Sequence, residues 1–266
     1  MKIERFISLL EVLAIIGILT VGFLQACSVT FGKPIISIVL WPTIFLSSIL
    51  LLIRLFYFRL YGLSKNMLLL TAFCISYILS MLNTIQYGWY DNLRTLIWCA
   101  FLFFLVYCYN PKNTYFTKEK QYITLSIYYV VINAVLSFLS FYTMYTGKSQ
   151  IFYQEIGPIY YIGFHWGRLY GIYWDANIGA VMSCIGILLS IGLFKIKKSK
   201  LIRILLIINI FLQIFYITFS DSRTGHLCLC IGSITWIFLE MKEKKSFVFV
   251  KTIENSFLNV RPRGSA

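Results

Sequence analysis

Eight apolar runs follow one another along the chain, at about residues 6–26, 35–56, 66–84, 92–109, 121–145, 176–194, 201–219 and 226–241. A helix that crosses a bilayer needs about 20 apolar residues, and about 17–25 are tolerated. In hydrocarbon every backbone polar group must be satisfied within the segment, so runs of this kind read as helices. The last run is the shortest. Pro42, inside the second, is tolerable where neighbouring groups satisfy the carbonyl it frees. A water-soluble alternative fails on composition. Only 13% of the residues are charged and 59% are hydrophobic, whereas a soluble domain carries about 25% charged residues. The expected fold is all-α, a polytopic bundle of about eight transmembrane helices. The first run follows a charged start, "MKIERF", as a signal peptide would. No small-residue cleavage site follows it, so an uncleaved first helix is expected.

The formal net charge of +14 invites a nucleic-acid reading, and the placement of the charges excludes it. With the N-terminus in the cytoplasm, nineteen of the 24 Lys and Arg fall in the cytoplasmic flanks and turns. Lys33, Arg94, Lys148, Arg168 and Arg223 remain outside. That asymmetry is the positive-inside pattern. It predicts a multi-pass protein of the plasma membrane with both termini cytoplasmic, a cytoplasmic tail over 242–266, and an external aromatic-rich loop over 146–175. The seven cysteines lie mostly within apolar runs, as small hydrophobes do. Cys228 and Cys230 are two apart and point in different directions on a helix, so neither a disulfide framework nor a zinc site is expected.

Two polar segments stand out, and both are placed on the outer face. The first is "GRLYGIYWDANIGA", residues 167–180. The aromatic rings around it suit a headgroup belt. That reading leaves Glu155, His165, Arg168 and Asp175 unexplained. Asp175 occupies the N-cap position of the sixth run. Beyond it Ala176, Gly179, Ala180, Ser183, Gly186 and Ser190 recur at three- and four-residue steps, a spacing that lets another membrane helix approach closely. The sixth helix is therefore expected to be central.

The second segment, "TFSDSRTGH", opens the eighth run. Either Asp221 or Ser222 can cap that helix. Arg223 then falls in the first turn, at the positive end of the macrodipole, where a cation is locally unfavourable. A snorkelling surface arginine could bear this cost. Alternatively, free N–H groups and the guanidinium converge on an anion. With Arg168 at a nearby helix end, two guanidiniums could clamp a diphosphate.

Taken in order, "RLYGIYWDANIGA", a basic cytoplasmic turn and "TFSDSRTG" resemble the O-antigen ligase/polymerase superfamily, and within it the Wzy-type polymerases of polysaccharide repeat units. The family pattern falls on Gly171, Asn177 and Ala180, and on Ser222, Arg223, Thr224 and Gly225. The likeness covers about residues 165–240 by motif and the earlier chain by hydropathy alone. It implies inverting, metal-independent and cofactor-free glycosyl transfer between polyprenyl-diphosphate-linked oligosaccharides. It also implies the bilayer, a chain-length regulator and a flippase of the same pathway as partners. Arg168 and Arg223 would stabilise the leaving diphosphate. Asp175, Asp221, His165 and His226 are the candidate bases, with Asp175 and His226 placed among the catalytic groups. Asn177, Ser222, Asp221, His165 and Gly171 would contact substrate. No D-x-D pair appears on the outer face, which disfavours a divalent-ion nucleotide-sugar transferase.

The chain departs from the family after the second motif, where further helices and a large outer loop are usual. Truncation is therefore an expectation, and with it the loss of any base in that loop. Two other functions compete. A flippase for lipid-linked sugars would place charges mid-span or repeat its halves. Here Glu11 is the clearest buried acid and no internal repeat is seen. A ligase-type transfer would differ only in its acceptor.

Overall fold

The apolar runs become helices, and the long polar connection becomes something else. The computed structural model describes residues 2–30, 33–56, 65–83, 88–107, 118–152 and 159–259. Five helices come first: α1 (Lys2–Ala26), α2 (Pro34–Phe56), α3 (Lys65–Asn83), α4 (Trp89–Phe101, continued by a π-helical turn, Leu102–Tyr107) and α5 (Lys118–Tyr145). Three short strands follow: β1 (Gln150–Phe152), β2 (Tyr160–His165) and β3 (Arg168–Gly171). The chain then forms α6 (Ala176–Ile196), α7 (Lys200–Ser220) and α8 (Arg223–Asn259). Among the described residues six stretches are long and apolar enough to cross a membrane: Phe6–Ala26, Pro34–Ile53, Glu119–Tyr145, Ala176–Ile196, Lys200–Ser220 and Arg223–Met241. Leu68–Asn83 is a shorter apolar helix. The protein is an all-α polytopic membrane bundle. Glu155 and Cys108 lie outside the described residues.

Helix α6 is central. It packs against α5, α7, α8 and β3. Its small residues Ala176, Gly179, Ala180, Ser183, Gly186 and Ser190 are all buried, as their spacing predicts. At Gly179 a Cβ would overlap the Tyr216 hydroxyl and the Tyr173 ring, so glycine is what admits α7. Lipid supplies no hydrophobic force between helices, so buried polar side chains help to hold them. Ser137 on α5 donates to the Gln213 side-chain oxygen on α7 at 2.8 Å, and Gln213 donates to Asn209 at 3.0 Å. Asn209 in turn donates to Ser190 on α6 at 2.9 Å. A second pair, α1 and α2, meets at Gly17, where a Cβ would lie 2.6 Å from the Thr43 hydroxyl. Glu11 is buried in α1.

The two ends of the bundle differ. At one end the basic turn after α6 is held by Arg203, whose Nε donates to the Lys197 carbonyl at 2.8 Å. Lys195 pairs there with Glu240 of α8 at 2.8 Å. The other end carries the sheet, the start of α6, the end of α7 and the start of α8, and there both polar segments meet.

Candidate functional site

Residues 146–175, read from sequence as an aromatic-rich loop, hold a three-stranded antiparallel sheet in the order β1-β2-β3. The turn between β2 and β3 explains its formation. His165 pairs with Arg168 across a two-residue connection of Trp166 (φ 51°) and Gly167 (φ 75°). Positive φ at both central positions gives a twist that matches the flanking strands. Strand β3 lies on the bundle. Gly171 (φ 64°) sits over Ser140, where a Cβ would overlap the serine, and the Ile172 N–H donates to the Ser140 hydroxyl at 3.1 Å. Tyr216 on α7 donates to the Tyr170 carbonyl at 3.0 Å. Burial pushes the Tyr173 phenol well above its usual range. It therefore stays protonated and donates to the Asn133 side-chain oxygen at 3.1 Å.

That docking carries Arg168 to the junction of three helix ends. Its Nε donates to the Ser220 carbonyl at 2.9 Å, and one Nη donates to the Asn177 side-chain oxygen at 3.1 Å. The same oxygen accepts from the Ser222 hydroxyl at 2.8 Å. Ser220 ends α7, so its carbonyl is one of the groups a helix C-terminus leaves unpaired, and a guanidinium suits it. Ser222, fully buried, is the cap of α8: the Gly225 N–H donates to its hydroxyl at 3.0 Å. The choice between Asp221 and Ser222 is thereby made. Asp221 instead occupies the left-handed turn (φ 46°) that separates α7 from α8. Asp175 caps α6, accepting from the Asn177 N–H at 2.8 Å.

The predicted residues divide on this geometry. Asn177, Ser222 and Arg168 form one hydrogen-bonded cluster, with Asp175 and Asp221 at its helix ends. Arg168 sits on a strand, where sequence reading placed it at a helix end. A guanidinium has five N–H donors; two are used here, and three remain. Its carbon lies 5.9 Å from the centre of the Tyr170 ring. Arg223 is exposed in the first turn of α8 and has no hydrogen bond or ion pair among the described residues. His226, one turn on, is also exposed, and its Nδ1 lies 2.8 Å from the Ser222 carbonyl. A carbonyl only accepts, so Nδ1 carries the proton and the neutral ring keeps a lone pair on Nε2. His165 is engaged within the hairpin, its Nε2 lying 2.9 Å from the Ile162 carbonyl. Gly171 acts through backbone shape rather than by contact with the cluster.

Sequence reasoning missed the Ser220 carbonyl, which no side-chain pattern marks, and the part played by Tyr216 and Ser140 in seating β3. The H-W-G-R turn was the available signal for the hairpin. Among the described residues, no group of three or more His, Cys, Asp or Glu side chains stands together to hold a metal ion. No family model matches the chain, and neither a curated protein nor a solved structure matches it.

Proposed function

We propose that the chain transfers a glycan from a polyprenyl-diphosphate carrier to the hydroxyl of a second lipid-linked oligosaccharide, at the external face of the plasma membrane. One observation carries this reading. Two segments that resemble the polymerase motifs, 45 residues apart at Asn177 and Ser222, share a hydrogen bond, with Arg168 on the same oxygen and Arg223 next in the chain to Ser222. The acceptor oxygen attacks the anomeric carbon from the face opposite the diphosphate. The new C–O bond forms as the old one breaks, and the carrier diphosphate leaves with the bonding electron pair. The acceptor proton passes to Nε2 of His226. Charge grows on the diphosphate oxygens as the bond breaks, so donors fixed beforehand at that point lower the barrier. Arg223 supplies a complete guanidinium fork, and Arg168 the three N–H groups it has not spent on protein.

Solvent exposure of Arg223 supports this reading, because the cost of a cation near a helix N-terminus is recovered when an anion binds. The basic turn at the opposite end supports the external placement. The test is reconstitution of the full chain in vesicles with a defined polyprenyl-diphosphate-linked oligosaccharide. Product longer than one repeat unit is expected, with about a hundredfold less from Arg223→Ala. Vesicles that yield no transfer with the wild-type chain would refute the reaction.

A further inference from the structure

A second polar feature lies on another face of the α6 N-terminus. A cavity of about 460 Å³ opens between the C-terminal end of α1, the N-terminal part of α4, and the start of α6. Ile178 and Met182, one turn apart on α6, line it. Ile178 is turned by about 100° from Asn177 and about 200° from Ala180, the residues through which α6 meets the cluster and α8. Tyr160 and Trp174 form a further wall, their rings edge-on with centres 6.3 Å apart. This wall is tied to α1. The Trp174 N–H donates to the Ala26 carbonyl at 3.1 Å, and the Ser28 N–H donates to the Ile172 carbonyl at 2.8 Å. The cleft is therefore a built feature of the sheet end and no gap between loosely placed helices.

Two residues that line it carry donors with no hydrogen-bond partner among the described residues. The side-chain nitrogen of Gln25 is buried and has no hydrogen-bond partner among the described residues. A buried amide donor left unmet is costly, and an acceptor placed in the cleft recovers that cost. Arg94 is exposed on α4 and makes no hydrogen bond or ion pair among the described residues. At Gly22, on the α1 side, a Cβ would meet nothing within 4 Å, so the wall is open there. One cation and one amide donor sit beside an aromatic wall and an apolar one. Aromatic rings favour the headgroup level of a bilayer, and a fixed cation at that level attracts lipid phosphate.

We propose that this cleft binds the phosphate head of a membrane lipid. Arg94 and Gln25 donate to the phosphate oxygens, and the first part of the apolar chain lies along Ile178 and Met182. A single guanidinium matches a phosphate monoester or diester better than it matches a diphosphate. Two carriers share this chemistry, an anionic glycerophospholipid and a polyprenyl phosphate. If the transfer reaction holds, the cleft would seat the lipid of the second chain; that role rests on the reaction, and the binding does not.

The experiment is native mass spectrometry of the full chain in detergent, titrated separately with phosphatidylglycerol, polyprenyl phosphate, phosphatidylcholine and inorganic phosphate. One of the two anionic lipids should be retained at one copy, and its identity names the source. Arg94→Ala and Gly22→Phe should each weaken that binding by about tenfold or more, since hydrogen bonds to charged groups are the strong ones. Arg94→Lys should fall between, and Lys148→Ala, outside the cleft, should match wild type. Arg94 and Gly22 are both exposed, so neither change removes a packing contact, and a melting curve in detergent checks each variant. Equal lipid retention by wild type, Arg94→Ala and Gly22→Phe would overturn the site. Retention of phosphatidylcholine as strongly as the anionic lipids would overturn the phosphate selectivity. Displacement of the lipid by an equal concentration of inorganic phosphate would overturn the part played by the chain. The readout is bound lipid, so the result stands apart from whether polymer is made.

Discussion

Gly225 of α8 lies against Ala180 of α6 so closely that a Cβ at 225 would sit 2.6 Å from the alanine methyl. This contact draws two helix starts together, and the candidate site is its consequence. With α6 and α8 in contact there, Ser222 can cap α8 and still reach the Asn177 oxygen at 2.8 Å. Both of these glycine and alanine positions fall within the motifs that resemble the polymerase pattern. Their role in the structure is close approach.

Gly225→Ala should therefore push the two helix starts apart. Overpacking of this kind costs about 1–3 kcal/mol. A lower unfolding midpoint in detergent is expected, together with loss of transfer. Gly192→Ala, where a Cβ would meet only the Trp236 ring at an ordinary 3.5 Å, is the matched control and should neither lower the midpoint nor reduce transfer. A Gly225→Ala protein as stable and active as wild type would show that the helices can part without harm to the site.

The two arginines should separate by assay. Arg168 closes the end of α7 and holds Asn177, so Arg168→Ala should lower both stability and transfer. Removing a charged donor from such partners costs about 1.5–3 kcal/mol. Arg223 is exposed and makes no hydrogen bond or ion pair among the described residues, so Arg223→Ala should leave the melting midpoint in place. It should lower transfer by about a hundredfold or more, the scale of one lost donor to developing charge. Arg223→Lys keeps the charge and loses the planar fork, and should recover only part of the rate. Equal stability losses for the two alanine variants would remove this distinction.

Much of this arrangement was legible in the chain. Among the described residues helices form along all eight apolar runs, six of them long and apolar enough to cross a membrane, because bilayer thickness and backbone hydrogen bonding leave helices as the only option for such runs. The buried stripe on α6 was legible for a similar reason: Ala176, Gly179, Ala180 and Ser183 share a face by helical geometry alone. The sheet was not. Its strands are short and rich in tyrosine and phenylalanine, a composition equally suited to a headgroup belt, and only the turn at Trp166 and Gly167 distinguishes the two. The bond from Arg168 to the Ser220 carbonyl could not be read at all, since it joins a strand to a backbone atom 52 residues away. Nor could the cleft at Gln25 and Arg94, which exists only once α1, α4 and α6 are placed side by side.

Orientation is a separate prediction, and it rests on charge asymmetry. Reporter fusions after Lys148 and after Ser222 should read as external, and a fusion after Lys198 as cytoplasmic. Lys198 lies in the turn after α6, at the end opposite the sheet. An external signal from that fusion would place the Asn177 cluster in the cytoplasm, away from any externally presented glycan.

Asn177 gives the sharpest test, because one oxygen serves two donors. Asn177→Leu leaves Arg168 and Ser222 facing a side chain that cannot accept, and an unmet buried donor costs about 1–3 kcal/mol. The unfolding midpoint should fall. Asn177→Asp keeps an acceptor for both donors and pairs Arg168 with a full negative charge, so the midpoint should hold or rise. Transfer should still fall by about tenfold or more, because the carboxylate offsets the positive field that would meet the leaving diphosphate. A stable Asn177→Asp protein with impaired transfer would assign the cluster an electrostatic role. If instead Asn177→Asp transfers at the wild-type rate, Arg168 and Asn177 serve only to join the sheet to the helices. The charge that meets the substrate would then have to come from Arg223 alone.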